Sequence, residues 1–358
     1  MTKLPFVLLF TGMTAFFWGI YGIVLRFGTK AMELKEHTIA GEVGVSLRAF
    51  VGVGLAYFLI AVIVPVALLN RKRETGFWSF SGTVMSLFAG AVGALGALGV
   101  SMALSFKAQP IYVMPIVFGG APVVNTLLTS YLNKSFKQIN WRFLLGMAMV
   151  VLGMILVLFF KPQPAKSGDS EVVLNWVAIG LSIALAVFCW GSYGPFLHIG
   201  QSKMGGSRLR PFCCVGIAYF IIAVIIPVVY LESLHSGSGY TGTGMLWSIL
   251  AGTAGAMGAL GIILAFTFGG KPIFVMPLVF GFAPVINTLT DIIVGRKVDS
   301  LNINFAVAIL IGILGAVTVL LNAPKATPHG KPPANKDPLP VDSGNGNPSA
   351  GNSAKVEL

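Results

Sequence analysis

The sequence predicts an all-α membrane protein in which ten transmembrane helices form two inverted five-helix repeats (5+5). Three observations carry this reading: an apolar composition, an internal duplication at a spacing of 162 residues, and a contrast in charge between equivalent loops. Hydrophobic residues make up 55% of the chain and charged residues 10%, with a mean hydropathy of +0.84. A soluble domain carries roughly 25% charged residues, so this composition does not cover a water-facing surface. The net charge of +12 is scattered between apolar runs, without the basic stripe and interleaved aromatics of a nucleic-acid surface. It reads as cationic loops against anionic headgroups, so membrane lipid is an expected partner and nucleic acid is not. Cys189, Cys213 and Cys214 lie in or beside apolar runs and offer neither a disulfide framework nor a metal spacing.

A span needs about 20 apolar residues, and ten runs qualify: 4–25, 47–69, 78–106, 110–132, 141–160, 173–197, 211–231, 245–268, 272–294 and 301–321. The first follows Lys3. It is too long for a signal-peptide core and has no small-x-small site before Arg26, so it reads as a retained helix. Residues 323–358, rich in Pro, Asn, Gly and Ser, read as a disordered cytoplasmic tail.

The duplication is plainest in the fourth and ninth spans. PIYVMPIVFGGAPVVNT from Pro110 and PIFVMPLVFGFAPVINT from Pro272 agree at 13 of 17 positions. LRAFVGVGLAYF from Leu47 answers to LRPFCCVGIAYF from Leu209, and GAVGALGALG from Gly90 to GTAGAMGALG from Gly252. In the first and sixth spans FFWGIYG matches FCWGSYG at an offset of 172, which makes the first loop of the amino half ten residues longer. Lys107 is paired with Lys271 as the basic residue of the turn before each proline-rich span. The organisation is therefore a repeat over 1–161, a linker over 162–172 and a second repeat over 173–322.

Five spans per half turn the second half upside down. With the N-terminus inside, the inner side holds 15 Lys and Arg against 9 outside, the bias expected of cytoplasmic loops. The loop after the second span carries Arg71, Lys72 and Arg73, and its counterpart at 232–244 carries none. Both termini are thus expected in the cytoplasm and the protein in a plasma (bacterial inner) membrane.

The duplicated proline stretches predict interrupted helices. A proline removes one N–H and clashes with the carbonyl four residues earlier, so Pro122 frees the carbonyl of Phe118 and Pro284 that of Phe280, with Gly119 and Gly281 alongside. Matched broken helices point to a substrate site near the midplane; kinks that fit neighbouring helices are the alternative. Asn125 and Asn287 share a face with those prolines, where an amide either binds a neutral polar solute or bonds helix to helix. Trp18 with Tyr21, and Trp190 with Tyr193, put paired rings on single faces suited to stacking on a sugar or base. Tyr112 completes the substrate-facing set. The ladders Gly90, Gly93, Gly96, Gly99 and Gly252, Gly255, Gly258, Gly261 read as packing surfaces. Asp291, expected to pair with Arg296, and His198 are the proton-coupling candidates. No catalytic constellation, metal cluster or cofactor motif emerges, so neither an enzyme nor a cofactor is expected.

Ten spans as five plus five, the Trp-Gly pairs, glycine-rich third helices and proline-broken fourth helices together resemble the drug/metabolite transporter superfamily, in its EamA-like branch. The resemblance covers about residues 1–322. It implies alternating access around a central cavity lined by helices 1, 3, 4, 6, 8 and 9, with the WGxYG and Pro-Asn residues at the cavity positions. The chain lacks the mid-span Lys or Arg of phosphate-handling carriers and the membrane glutamate of the small multidrug exporters. The expected function is a secondary transporter of a small polar metabolite, a sugar or amino acid, acting as monomer or homodimer. The alternative is a non-transporting sensor or scaffold that binds a ligand or lipid in the same cavity.

Overall fold

The computed structural model describes residues 4–33, 38–71, 74–132, 134, 139–160, 175–233, 239–270, 272–295 and 302–322. The linker at 162–172, the tail at 323–358, Arg296 and Lys271 lie outside them. All regular structure among the described residues is helical. The helices are α1 (Leu4–Ala31), α2 (Ile39–Asn70), α3 (Phe80–Ser105), α4 (Pro110–Leu132), α5 (Trp141–Phe160), α6 (Trp176–Lys203), α7 (Leu209–Ser233), α8 (Gly242–Thr267), α9 (Pro272–Gly295) and α10 (Ile303–Leu321). Seven of them, α1 to α4 and α6 to α8, are long and apolar enough to cross a membrane, and α5, α9 and α10 contain shorter apolar helical stretches over Trp141–Val157, Leu278–Val294 and Ile303–Val319. Outward side chains such as Phe80, Val177 and Ile293 are exposed, as a lipid-facing surface requires. The architecture fits a multi-pass helical membrane protein.

Local chemistry explains where the helices begin and end. The first N–H groups of a helix lack partners, and short polar side chains supply them. Ser79 accepts from Gly82 N–H and Thr241 from Gly244 N–H, each at 3.1 Å, and Asn175 accepts from Ala178 N–H at 3.0 Å. Inside the helices Thr11 and Ser182 donate back to carbonyls one turn earlier, Val7 and Ala178, at 2.7 Å, so these two hydroxyls need no water. α3 ends in a Schellman cap: Ala108 N–H reaches Ala103 O and Lys107 N–H reaches Leu104 O, both at 3.1 Å. α8 ends the same way at Gly270 and Gly269. The residue in the left-handed conformation is Lys107 (φ 69°) in one cap and Gly269 (φ 91°) in the other. This corrects the pairing of Lys107 with Lys271: the cap position equivalent to Lys107 is a glycine, and Lys107 points its ammonium at Glu33 and Glu42.

A second departure concerns the proline-rich helices. α4 and α9 run unbroken as α-helix through Pro115, Pro122 and Pro284, where interrupted helices were expected. The irregular backbone is in α2 and α7 instead, at π turns over Leu59–Ile63 and Ile221–Ile225. There Val64 N–H reaches Leu59 O and Ile226 N–H reaches Ile221 O, five residues back. Each wide turn comes just before a proline, Pro65 or Pro227, and lets the chain absorb the ring without leaving the helix.

Helix packing relies on glycine. Gly54 of α2 abuts Ala223 of α7, and Gly216 of α7 abuts Ala61 of α2, so these helices cross antiparallel. Gly146 meets Val319 and Gly153 meets Gly312, so α5 and α10 also run antiparallel. α1 lies along α8 and α3 along α6, and their ends are tied in matching ways. Thr241 Oγ1 donates to Ala31 O at 3.0 Å, and Ser79 Oγ donates to Lys203 O at 2.8 Å.

Glu74, whose side chain is 5% exposed, fastens the start of α7 from outside the helix. Its carboxylate accepts from Ser207 Oγ and Arg208 N–H at 2.7 Å and from Leu209 N–H at 3.1 Å, and Arg210 approaches to 3.5 Å. Replacing Glu74 by Ala orphans these donors at a helix N-terminus. The expected loss is about 1–3 kcal/mol, visible as a lower melting temperature in detergent, and Glu74→Gln should recover part of it.

Candidate functional site

Trp18 and Tyr21 stand three residues apart on α1, and Trp190 and Tyr193 do the same on α6. The glycine between the rings of each pair sets their surroundings. At Gly19 a Cβ would meet Ile286 at 2.7 Å and Ala283 O of α9 at 3.0 Å, and at Gly191 it would meet Val124 and Ala121 O of α4. These glycines bring α9 onto α1 and α4 onto α6. The indoles turn to the opposite side, onto the glycine ladders. Trp18 Nε1 donates to Gly255 O at 3.2 Å, and Trp190 Nε1 donates to Gly93 O at 3.1 Å. A Cβ at Gly258 would fall on the Trp18 ring, and one at Gly96 on the Trp190 ring. The ladders are thus packing surfaces, and what they receive is tryptophan.

Between the two pairs lies a cavity of about 30 Å³, lined by Trp18, Tyr21, Trp190 and Tyr193 together with Tyr57, Tyr219 and Phe280, and floored by Gly93 and Gly255. The two indoles face each other nearly parallel, with ring centroids 6.4 Å apart and planes 16° from parallel. Tyr57 and Tyr219 stack at 3.7 Å and 4°. Tyr21 and Tyr193 are buried, and their hydroxyls have no hydrogen-bond partner among the described residues. No charged residue is among the lining residues described.

Of the residues singled out in the sequence, Trp18, Tyr21, Trp190, Tyr193 and Phe280 line this cavity. Phe118 is fully buried behind Trp190, its ring 6.0 Å from the indole and 6.2 Å from Phe280. Asn125, Asn287 and Tyr112 are not among the lining residues. Asn287 is fully buried and donates its amide to Pro110 O at 3.0 Å, tying α9 to α4. Tyr112 is buried one turn from that bond, and Asn125 is half-buried. Asp291 is 3.5 Å from Arg26 of α1, an ion pair between helices; Arg296, the partner expected from spacing, lies outside the described residues. His198 is exposed on α6. Gly119 and Gly281 open toward α5 and α10 and away from the aromatic cavity.

Tyr57 and Tyr219 were missed. Their signal is present in the sequence, since AYF recurs in the second and seventh spans at the 162-residue spacing. A tyrosine inside an apolar run reads as core until the crossing of α2 and α7 places both rings together.

Because the Trp18 and Trp190 rings rest directly on glycine, Gly258→Ala and Gly96→Ala should each push an indole off its carbonyl. The expected loss is about 1–3 kcal/mol, measurable as a drop in melting temperature that an alanine at Gly180, where a Cβ meets nothing within 4 Å, does not produce.

No known family's sequence profile matches the chain, and neither does any curated protein. The chain is similar to a protein of solved crystal structure at 17% sequence identity, with a TM-score of 0.50 over 88% of this chain and 97% of that one. At that identity the likeness is one of fold alone.

Proposed function

We propose that the chain is a secondary transporter that moves a small polar metabolite across the membrane by alternating access, through ten spans arranged as two inverted five-helix repeats. The observation that carries this reading is the aromatic cavity enclosed between paired helices of the two halves. Its walls repeat themselves: α1 bonds to α8 through Trp18 as α6 bonds to α3 through Trp190. The antiparallel crossings of the equivalent helices α2 with α7, and α5 with α10, support the inverted relation of the halves. Toward one end of α9, Asn287 bonds to Pro110 of α4 and Asp291 pairs with Arg26 of α1, inter-helix contacts of the kind that an alternating-access cycle breaks and remakes. The resemblance to EamA-like drug/metabolite transporters points the same way, with the protein in a plasma membrane and its termini in the cytoplasm.

Purified protein in proteoliposomes is expected to carry at least one member of a panel of sugars, amino acids, nucleosides and small amines. Trp18→Ala combined with Trp190→Ala should cut that flux to about a tenth or less, since it removes two binding faces worth about 1 kcal/mol each. A panel with no flux counts against transport, and saturable binding without flux selects the sensor reading.

Topology has its own test. In a variant with Cys189, Cys213 and Cys214 replaced, cysteines introduced at Arg71, just after α2, and at Ser233, the last residue of α7, should be labelled from opposite sides of the membrane by an impermeant maleimide. Labelling from one side ends the inverted-repeat proposal.

A further inference from the structure

We infer that the corner of the bundle formed by the α2–α3 and α6–α7 loops binds the phosphate headgroup of an anionic phospholipid. The inference needs only that the chain sits in a bilayer, and it stands apart from transport. The two loops are fastened into one platform. Phe77 N–H donates to Met204 O at 3.3 Å, and Ser79 Oγ donates to Lys203 O at 2.8 Å. Glu74 closes the other edge, accepting from Ser207 Oγ and Arg208 N–H at 2.7 Å. Gly76 (φ 105°) permits the approach, since a Cβ there would meet Met204 O at 2.7 Å. Three basic side chains surround this platform. Arg71 at the end of α2 and Lys203 at the end of α6 are exposed. Arg208, just before α7, lies 3.8 Å from Glu74 and is still 41% exposed. Beside them Phe77, Trp78 and Phe80 show more than half of their surface to the outside.

The repeat supplies a comparison within the molecule. The equivalent corner joins the end of α1 to the start of α8, where Thr241 Oγ1 donates to Ala31 O at 3.0 Å. There the positions of Arg71, Lys203 and Arg208 are held by Ser233, Ala31 and Ser46, and those of Phe77 and Phe80 by Gly239 and Gly242. What the two corners share is an arginine, Arg210 or Arg48, and a ring, Trp78 or Tyr240. Arg210 lies 5.9 Å from the centre of the Trp78 ring. The added cations and phenylalanines are therefore not required to join the helix ends, because the other corner joins them without these residues. Their chemistry is that of a lipid site. Guanidinium forks and an ammonium pair with phosphate oxygens, and aromatic rings settle at the depth of the headgroups. Arg71, Lys203, Arg208 and Arg210 outweigh the single carboxylate of Glu74. That excess favours a headgroup with net negative charge over a zwitterionic one. The exposed rings favour a lipid over a free inorganic anion, which has no apolar part to meet them.

The test uses the full chain in nanodiscs of phosphatidylcholine with or without a minor share of phosphatidylglycerol. Melting temperature and the lipid retained after extraction, weighed by native mass spectrometry, are the readouts. Phosphatidylglycerol should raise the melting temperature and be retained over phosphatidylcholine. Arg71→Gln combined with Lys203→Gln leaves the Glu74 contacts untouched. At about fivefold in affinity per basic residue, this double variant should weaken phosphatidylglycerol retention by at least about tenfold. Arg71→Lys combined with Lys203→Arg should keep retention within about threefold of wild type. Lys134→Gln combined with Arg142→Gln removes two exposed cations beside the α4–α5 connection and should also change it by less than about threefold. An equal loss from that control pair means general attraction to a charged surface and overturns the site. Equal retention of the two lipids by the wild-type chain overturns it as well, and that comparison stands even if a variant fails to fold. Inorganic phosphate or glycerol 3-phosphate that raises the melting temperature as far as phosphatidylglycerol does would replace the lipid with a free anion and overturn the inference.

Discussion

Inside lipid there is little hydrophobic gain in bringing two apolar helices together, so close backbone approach and buried hydrogen bonds decide which helices pair. In this chain the two requirements meet at the indoles. Trp18 reaches a carbonyl on α8, and Trp190 a carbonyl on α3, because the ladder positions beneath them have no side chain. Gly19 and Gly191, next to the same tryptophans, admit α9 and α4 from the other side. The helix carrying each indole is therefore held between two helices of the other half, α1 between α8 and α9 and α6 between α3 and α4. Any side chain at Gly96 or Gly258 would separate the halves where the cavity lies. The cavity is small because this packing is tight, and it is aromatic because the rings of Trp18 and Trp190 rest on the two ladders.

Repetition shapes the middle of the bundle, and divergence shapes its ends. The Trp and Tyr pairs and the stacked Tyr57 and Tyr219 match across the repeat. By contrast, the positions equivalent to Arg26 and Asp291 are His198 and Thr129. One end thus has an ion pair beside the Asn287 bond to Pro110, while Asn125, the counterpart of Asn287, is only half-buried. Under the proposed alternating access, two ends with different chemistry would open against different free energies, so a solute held midway would meet two inequivalent barriers.

Much of the bundle is legible in the sequence, for physical reasons that can be named. Lipid demands long apolar helices, and their existence follows from hydropathy at α1, α3 and α8 alike. The WGxYG spacing puts Trp and Tyr on one face of α1 and of α6, and the structure puts both pairs on one cavity. What the sequence hides is which irregularity is real. Pro122 and Pro284 look like breaks, yet α4 and α9 continue through them as α-helix. A proline removes one bond, and a helix packed on several neighbours tolerates that loss. Pro65 and Pro227 look unremarkable and produce π turns. The asymmetric roles of Asn125 and Asn287 are equally hidden, because identical local sequence gives no sign of which end of a bundle is closed.

The π turns bear on how the cavity would open in the proposed transport cycle. They lie within one turn or so of Tyr57 and Tyr219, at the antiparallel crossing where Gly54 meets Ala223 and Gly216 meets Ala61. The stacked tyrosines lie between α2 and α7 along one wall of the cavity. A 30 Å³ space does not hold a metabolite, since small-molecule sites run to roughly 300 Å³ or more. The wall that yields has to be one whose backbone can change its hydrogen-bond register without exposing a bare N–H to lipid. A π turn has that property, because moving its extra residue along the helix exchanges one five-residue bond for another. α4 and α9, regular and pinned to each other by Asn287, are poorly placed to move first. In the proposed transport cycle, the α2–α7 crossing, with Pro65 and Pro227 beside its π turns, is the backbone best placed to yield.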